Sequence, residues 1–164
     1  MPKTMETTRT GNSPKLSRKS GDSVERSLFS PVYQLDFNND EADVACYLDE
    51  EKALVWWHRN VAKSGQYFVQ GWRKNKVYPD FIFAVARTDS SQKFVVIETK
   101  GDQLEGNLDT NYKRKLLDVV NERYAFEEVK KAGELELVLN DKTSVSCELI
   151  LMSEWKTKLT KHLP

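Results

Sequence analysis

Residues 93–100 constrain the fold more than any other stretch. Phe94, Val95, Val96 and Ile97 lead there into Glu98, Thr99 and Lys100. Alternate residues of a strand point to opposite faces, so Phe94 and Val96 share a face with Glu98 and Lys100, while Val95 and Ile97 share the other with Thr99. Apolar residues on both faces need cover on both sides, which places this strand in the middle of a layered domain. A second strong run, 77–86, precedes it across the polar loop Thr88-Asp89-Ser90-Ser91. Pro79 falls at the entry of that run, where a missing backbone N–H is tolerated.

The rest of the chain supplies the covering layers. Asn38, Asn39 and Asp40 are candidate helix caps, and the rhythm of Ala42, Ala45, Cys46 and Leu48 after them predicts a first helix over about 40–51. Residues 53–58 and 66–70 are short, aromatic and β-branched, and read as two strands joined by a turn at Lys63-Ser64-Gly65. Tyr112, Leu116, Val119, Val120 and Tyr124 recur at helical intervals, which predicts one long amphipathic helix over about 109–131 that Gly133 ends. Strands over 135–139 and 145–152 follow, then a terminal helix over 154–162 with Ser153 as its cap. The order of helix, strands, helix, strands and helix indicates an α/β domain with no internal repeat.

Residues 1–27 are rich in Ser, Thr, Lys, Arg and Gly and nearly lack large apolar side chains. Such a segment buries too little surface to offset its ordering entropy, so a disordered, mildly basic leader or linker remnant is expected, with the domain over 28–164. At 164 residues the chain is long enough for one ordinary core. Lys+Arg and Asp+Glu number 25 each, so no global field draws it to polyanions and any nucleic-acid contact must come from a local patch. Cys46 and Cys147 form no CxxC or Cys/His spacing, which disfavours a zinc site or a disulfide framework and points to buried, reduced thiols in a cytoplasmic protein. No run approaches the ~20 apolar residues of a membrane span, and no signal-peptide core precedes the domain.

The polar ends of the two strong strands carry the candidate chemistry. Glu98 and Lys100 emerge side by side on one face, and Asp80 approaches Glu98 if 77–86 and 93–100 pair as a hairpin. Two carboxylates with the Thr99 carbonyl make an oxygen-rich site suited to Mg²⁺, which is commonly held by one or two carboxylates and several waters. A cation there would acidify a coordinated water and offset charge on a phosphate, with Lys100 assisting. Each short motif also has a bland reading: Glu98 and Lys100 as an exposed ion pair at a strand end, Asp80 as a turn residue.

The motifs nevertheless occur together and in one order: Asn38-Asn39-Asp40-Glu41, Val55-Trp56-Trp57-His58-Arg59-Asn60, Gln70-Gly71-Trp72, Tyr78-Pro79-Asp80-Phe81, Glu98-Thr99-Lys100-Gly101-Asp102 and Asp109-Thr110-Asn111-Tyr112-Lys113. Over about 28–163 the chain resembles the PD-(D/E)xK nuclease-like domain found at the C-terminal end of type III restriction-endonuclease-like and related DEAD/DEAH-type helicase proteins. The resemblance implies a restriction-endonuclease-like core, a mixed sheet flanked by helices. It implies a metal-dependent DNA endonuclease using Mg²⁺ or Mn²⁺, with Asp80 and Glu98 as metal-binding acids and Lys100 as the catalytic lysine. Glu41 is the best match for an acid of the first helix that supports the metal; Asp49, Glu50 and Glu51 are its rivals, or a solvated helix end. Tyr112 and Lys113 match a position after the strand where related nucleases present a helix to the site or to DNA. Core packing is the other reading of Tyr112, and an i,i+4 pair with Asp109 that of Lys113.

Arg59, Lys63, Arg73, Lys74 and Lys76 make the region before Asp80 locally basic, an expected edge for phosphate contacts. Strand alternation places one of Trp56 and Trp57 in the core and the other at the surface; Trp72 and Trp155 read as packing residues and His58 as a structural histidine. The helicase portion and its GxxxxGK[ST] loop do not occur in this sequence, so the expectation is a helicase-less fragment of a restriction or helicase protein, with DNA and a helicase or restriction-complex subunit as the partners the resemblance implies. The competing expectation is a non-catalytic nucleic-acid-binding or partner-docking module. Nuclease action on RNA or single strands is a third, which exposed tryptophan would favour.

Overall fold

A computed structural model describes residues 5–6, 13–61, 66–87, 92–125, 129–132, 135–138 and 143–163. In chain order its elements are β1 (Met5–Glu6), β2 (Phe29–Ser30), α1 (Asn39–Glu50), β3 (Leu54–Arg59), β4 (Phe81–Ala86), β5 (Gln92–Lys100), α2 (Leu108–Ala125), β6 (Val129–Ala132), β7 (Leu135–Val138), β8 (Thr143–Leu151) and α3 (Trp155–His162). The fold class is mixed α/β. A four-stranded sheet runs in the order β3–β4–β5–β8, with β3, β4 and β5 antiparallel in turn and β8 parallel to β5. A parallel neighbour needs a crossover, and α2 lies in the connection from β5 to β8.

The alternation within β5 sorts the two layers as expected. Val95 and Ile97 are fully buried with Phe81, Phe83, Val85 and Trp57 against Val44 and Leu48 of α1 and Leu159 of α3. Val96 turns the other way, into a cluster with Leu117 of α2 and Cys147, Leu149 and Leu151 of β8. Helices therefore cover both faces of β5. Trp57 is in the core and Trp56 is half-buried against Phe94, the division that strand alternation required. Cys46 and Cys147 are buried and unpaired. Among the described residues no helix is long and apolar enough to cross a membrane.

Local chemistry sets the helix ends. Asn38 caps α1 by accepting from the Glu41 backbone at 2.8 Å, and the Glu41 side chain accepts from the Asn38 backbone at 3.0 Å, a reciprocal capping box. At α2, Asn107 Oδ1 accepts from the Thr110 N–H at 2.7 Å. The long helix expected over 109–131 stops at Ala125, because 129–132 satisfies its backbone by pairing antiparallel with 135–138. Ser153 does not cap α3. Its N–H and hydroxyl reach Asp102 Oδ1, at 3.2 and 2.5 Å, and tie the start of α3 to the turn that follows Lys100. Glu148 of β8 holds the other end of α3 through Lys158 at 2.9 Å and His162 at 2.7 Å.

Two further expectations fail, one for a strand and one for the leader. The strand expected over 66–70 is a single bridge between Val69 and Val77, closed by hydrogen bonds of 2.7 and 3.0 Å, and the turn at 63–65 lies outside the described residues. The free edge of β3 is taken instead by residues 26–28, whose backbone bonds that of Trp57 at 2.9 and 2.7 Å. The second failure follows from the first: over 13–27 the supposed disordered leader is packed. Leu16 is 3% exposed within the core, and Val24 packs against it.

What orders this segment is Asp49, 1% exposed and not the solvated helix end expected of it. Its carboxylate accepts from Arg18 Nε at 2.7 Å, from the Glu25 and Arg26 backbones at 3.1 and 2.8 Å, and from Trp57 Nε1 at 2.8 Å. One apolar residue and one buried charge thus anchor a stretch whose composition alone offers little to bury. Replacing Asp49 with Ala leaves Arg18 only its pair with Glu25 at 3.2 Å, and leaves the buried Trp57 N–H and the Glu25 and Arg26 backbone N–H groups without their acceptor. Chemical denaturation is expected to show a loss of about 3–5 kcal/mol, and limited proteolysis faster cutting within 13–27.

Candidate functional site

The β4–β5 register brings the sequence-predicted acids together. Phe81 opposes Ile97, so the next position outward sets Asp80 against Glu98. Residues directly opposite in an antiparallel pair point to one face. For Glu98 that face is the one α2 covers, since Val96 belongs to the α2 cluster, whereas Asp80 lies just before the first paired residue of β4. Asp80 is turned inward and fixed by its neighbour strand: its Oδ2 accepts from the Thr99 N–H at 2.7 Å and the Thr99 hydroxyl at 2.6 Å. The Thr99 N–H thus faces Asp80, while the Lys100 carbonyl faces away and accepts from Met152 at 2.9 Å. A strand residue directs its N–H and C=O to the same side, so the Thr99 carbonyl also lies on the Asp80 side.

Glu98 is not an exposed strand-end pair: it is 1% exposed. Its Oε1 receives Lys100 Nζ and Lys113 Nζ, both at 2.8 Å, and Lys113 also approaches Asp109 at 3.5 Å. Among the described residues, Glu98 Oε2 is buried without a hydrogen-bond partner. A buried carboxylate oxygen left unpaired is costly, so the arrangement has room for one more positive or donating group. Burial, and then the charge of Glu98, push the Asp80 carboxyl up to about 6, against the relief given by Thr99 and Lys100. Burial pulls the Lys113 ammonium down, but Glu98 and Asp109 outweigh it and hold it above its ordinary value. With both carboxylates ionised the four side chains sum to zero charge.

The supports behind Asp80 were missed at the level of sequence. Asn60 is 3% exposed; its Nδ2 donates to the Tyr67 and Pro79 carbonyls at 2.8 and 3.0 Å, and its N–H donates to the Asp80 carbonyl at 2.7 Å. Tyr67 donates its hydroxyl to the Pro79 carbonyl at 3.0 Å. Burial first, and then the charges of Asp80 and Glu98, raise the Tyr67 hydroxyl, so it stays a neutral donor. Asn60 stood in the quoted motif after Arg59, but a short polar side chain carries no sequence signal for a buried clamp. His58 lies on this side, 3.3 Å from Gln66 and against the Phe29 and Tyr67 rings, which keeps it structural.

Glu41 is not brought to the acids. Its carboxylate caps α1 and takes Arg59 Nη2 at 2.8 Å on each oxygen. Arg59 shares the strand face of Trp57, which is the α1 side, and its guanidinium also lies 5.5 Å from the Phe37 ring. Glu41 and Arg59 therefore satisfy each other across the sheet from Glu98, and Arg59 is spent on an internal pair where a phosphate contact was expected. Tyr112 is 5% exposed and packs with Val77 and Leu116, the core reading, while Lys113 beside it reaches Glu98. Arg73 lies over the Tyr112 ring at 4.3 Å, Lys74 is exposed, and Lys63 lies outside the described residues. Trp72, expected to pack, is 63% exposed.

Among the described residues no group of three or more His, Cys, Asp and Glu side chains is placed to hold a metal ion. A Mg²⁺ or Mn²⁺ site does not need three, because these ions keep several waters beside one or two carboxylates. The unpaired oxygen of Glu98, the strained ionisation of Asp80 and the direction of the Thr99 carbonyl fit a hard divalent cation. No protein-family model, curated protein or solved structure matches this chain.

An acid with a raised pKa binds its proton more tightly in the folded than in the unfolded chain. Its stabilisation is present below the usual 3.8 and is lost as pH rises through about 6. Asp80→Asn keeps an acceptor for Thr99 and removes the charge. In EDTA, thermal or urea unfolding is expected to find this variant more stable than wild type by about 2–3 kcal/mol at pH 8, with most of that gain gone at pH 4.

Proposed function

We propose that the chain is a Mg²⁺- or Mn²⁺-dependent endodeoxyribonuclease of the PD-(D/E)xK class, with a restriction-endonuclease-like core. One observation carries the reading: Asp80 lies just beyond the Phe81–Ile97 pair within reach of the charge of Glu98, two lysines share one oxygen of Glu98, and among the described residues its other oxygen is buried without a partner. The mixed sheet flanked by helices supports the fold part of the proposal. A surface ion pair at a strand end would leave the acid in water, whereas this one is buried at the cost of desolvation.

Asp80, Glu98 and the Thr99 carbonyl would hold the cation, which supplies positive charge against the phosphate and lowers the pKa of a water. Thr99 keeps Asp80 oriented through two short hydrogen bonds, and Asn60 and Tyr67 pin the Pro79 carbonyl beside it. Lys100 stands next to Glu98 with a fifth of its side chain open. From there its ammonium can donate to a phosphate oxygen or orient the attacking water while keeping its proton. Lys113 holds Glu98 from α2 and keeps the carboxylate from turning away. DNA is the substrate of this reading, and a helicase or restriction-complex subunit acting in trans is the partner it implies, in the cytoplasm.

Supercoiled plasmid incubated with Mg²⁺ or Mn²⁺ is expected to be nicked or cut by the wild-type protein, and to be spared in EDTA. Asp80→Ala is expected to abolish cleavage and Lys100→Ala to slow it by about 10²–10³-fold, the scale for removing one transition-state donor. Equal cleavage by all three proteins, or none by wild type, returns the chain to the class of non-catalytic nucleic-acid-binding or docking modules.

A further inference from the structure

Residues 70–76 form a tongue closed by the Val69–Val77 bridge, and this tongue rests on α2 at Tyr112 and Leu116. Gln70 Nε2 braces it from within, donating to the Arg73 carbonyl at 2.8 Å. Its base sits tightly on α2: a Cβ at Gly71 would come within 2.4 Å of the Tyr112 hydroxyl and 3.0 Å of Leu116. Only glycine permits that approach, so the tongue is docked firmly on the helix that carries Lys113. Trp72 is held with its ring centroid 5.0 Å from that of Tyr112 at an interplanar angle of 87°, yet 63% of it is exposed. Phe68, 43% exposed, flanks the tongue with Lys76 3.8 Å from its ring centroid.

An exposed, immobilised indole needs an occupant that gains from stacking. Its neighbours Arg73, Lys74 and Lys76 are cationic, and no acid occurs between Gln66 and Asp80, although the chain as a whole is neutral. A rigid aromatic surface among cations matches unpaired bases on a phosphate backbone, since every base has a face to stack and the strand carries negative charge. In a duplex the faces of the bases are already stacked and do not reach the tongue. We propose that the tongue is a stacking platform for single-stranded nucleic acid. It would seat an unpaired base on Trp72 and the adjoining phosphates against Lys74 and Lys76, on the helix that also carries Lys113. As a statement about substrate class it rests on the nuclease reading, but the binding itself does not need the acids.

Fluorescence anisotropy in EDTA can follow labelled 20-nucleotide single-stranded DNA, the same sequence as RNA, and the DNA duplex. Single strands are expected to bind at least tenfold tighter than the duplex. Trp72→Ala should weaken single-strand binding by about 5- to 150-fold, Trp72→Phe should restore most of it, and the duplex should respond to neither. Lys74→Ala should flatten the salt dependence of log K by about 0.7, one single-strand phosphate contact. Equal loss with DNA and RNA keeps the platform for unpaired bases of either kind; loss with one alone names the source. Tighter binding of duplex, or no effect of Trp72→Ala in a protein whose melting is unchanged, overturns the platform and leaves the patch to a protein partner. Absent plasmid cleavage by the wild-type protein, with intact Trp72-dependent binding, defeats the nuclease reading alone. Cleavage without such binding defeats this inference alone.

Discussion

The Asp49 carboxylate is buried where an unpaired charge would cost several kcal/mol, so every group that satisfies it is held in place. Those groups come from two parts of the chain, Arg18 and the 25–26 backbone from the N-terminal segment and the indole N–H of Trp57 from β3, all gathered on one side chain of α1. The consequences spread outward from there. With Trp57 fixed, β3 is fixed in register against β4. With 25–26 fixed, 26–28 can lie along the open edge of β3 and close it to other strands. The opposite edge is managed by one side chain: Asn121 of α2 exchanges two 2.6 Å hydrogen bonds with the Cys147 backbone of β8.

A sheet held at both edges positions polar groups where β4 enters and β5 ends. Asp80 and Glu98 are neighbours because the β4–β5 register is set by the apolar pairs Phe81–Ile97, Ile82–Val96 and Phe83–Val95; a slip of one residue would turn those side chains to the wrong layer. The site therefore inherits its precision from the core. Its electrostatics follow from the same geometry. The charge of Glu98 opposes that of Asp80, Thr99 and Lys100 relieve Asp80, and Lys100 and Lys113 together compensate Glu98. This is a high-energy arrangement for a structural ion pair and a useful one for a group that binds cations and phosphates.

Much of this was legible along the chain. The both-faced apolar pattern of residues 93–100 located the central strand and placed Glu98 with Lys100, and the caps and helical intervals located α1 and α2. Reading failed wherever a residue's role depended on a distant partner. Asp49 looked like one of three acids at a helix end, and only its burial beside Trp57 and Arg18 separates it from Glu50 and Glu51. Glu41 looked like a third metal acid, but Arg59, eighteen residues on, reaches it first. Trp72 resembled a core residue by type and is exposed, because Gly71 seats the backbone so closely on Tyr112 that the next side chain is directed outward.

By itself, the sequence determined the period of each element, the face each residue takes within a strand, and the pairing of an acid with a base at Glu98 and Lys100, since these depend on neighbours a few positions away. Only the tertiary structure decided that 13–27 belongs to the packed body, that Lys113 rather than Glu41 joins Glu98, and that Asn60 and Tyr67 stand behind Asp80. The physical reason is burial. A charge or a polar side chain takes its role from what surrounds it once water is excluded, and those surroundings are assembled from segments far apart in the chain. The pair Asp80 and Glu98 lies on both sides of this line: its residues could be named from their strands, while its depth, its lysines and its unpaired oxygen belong to the fold.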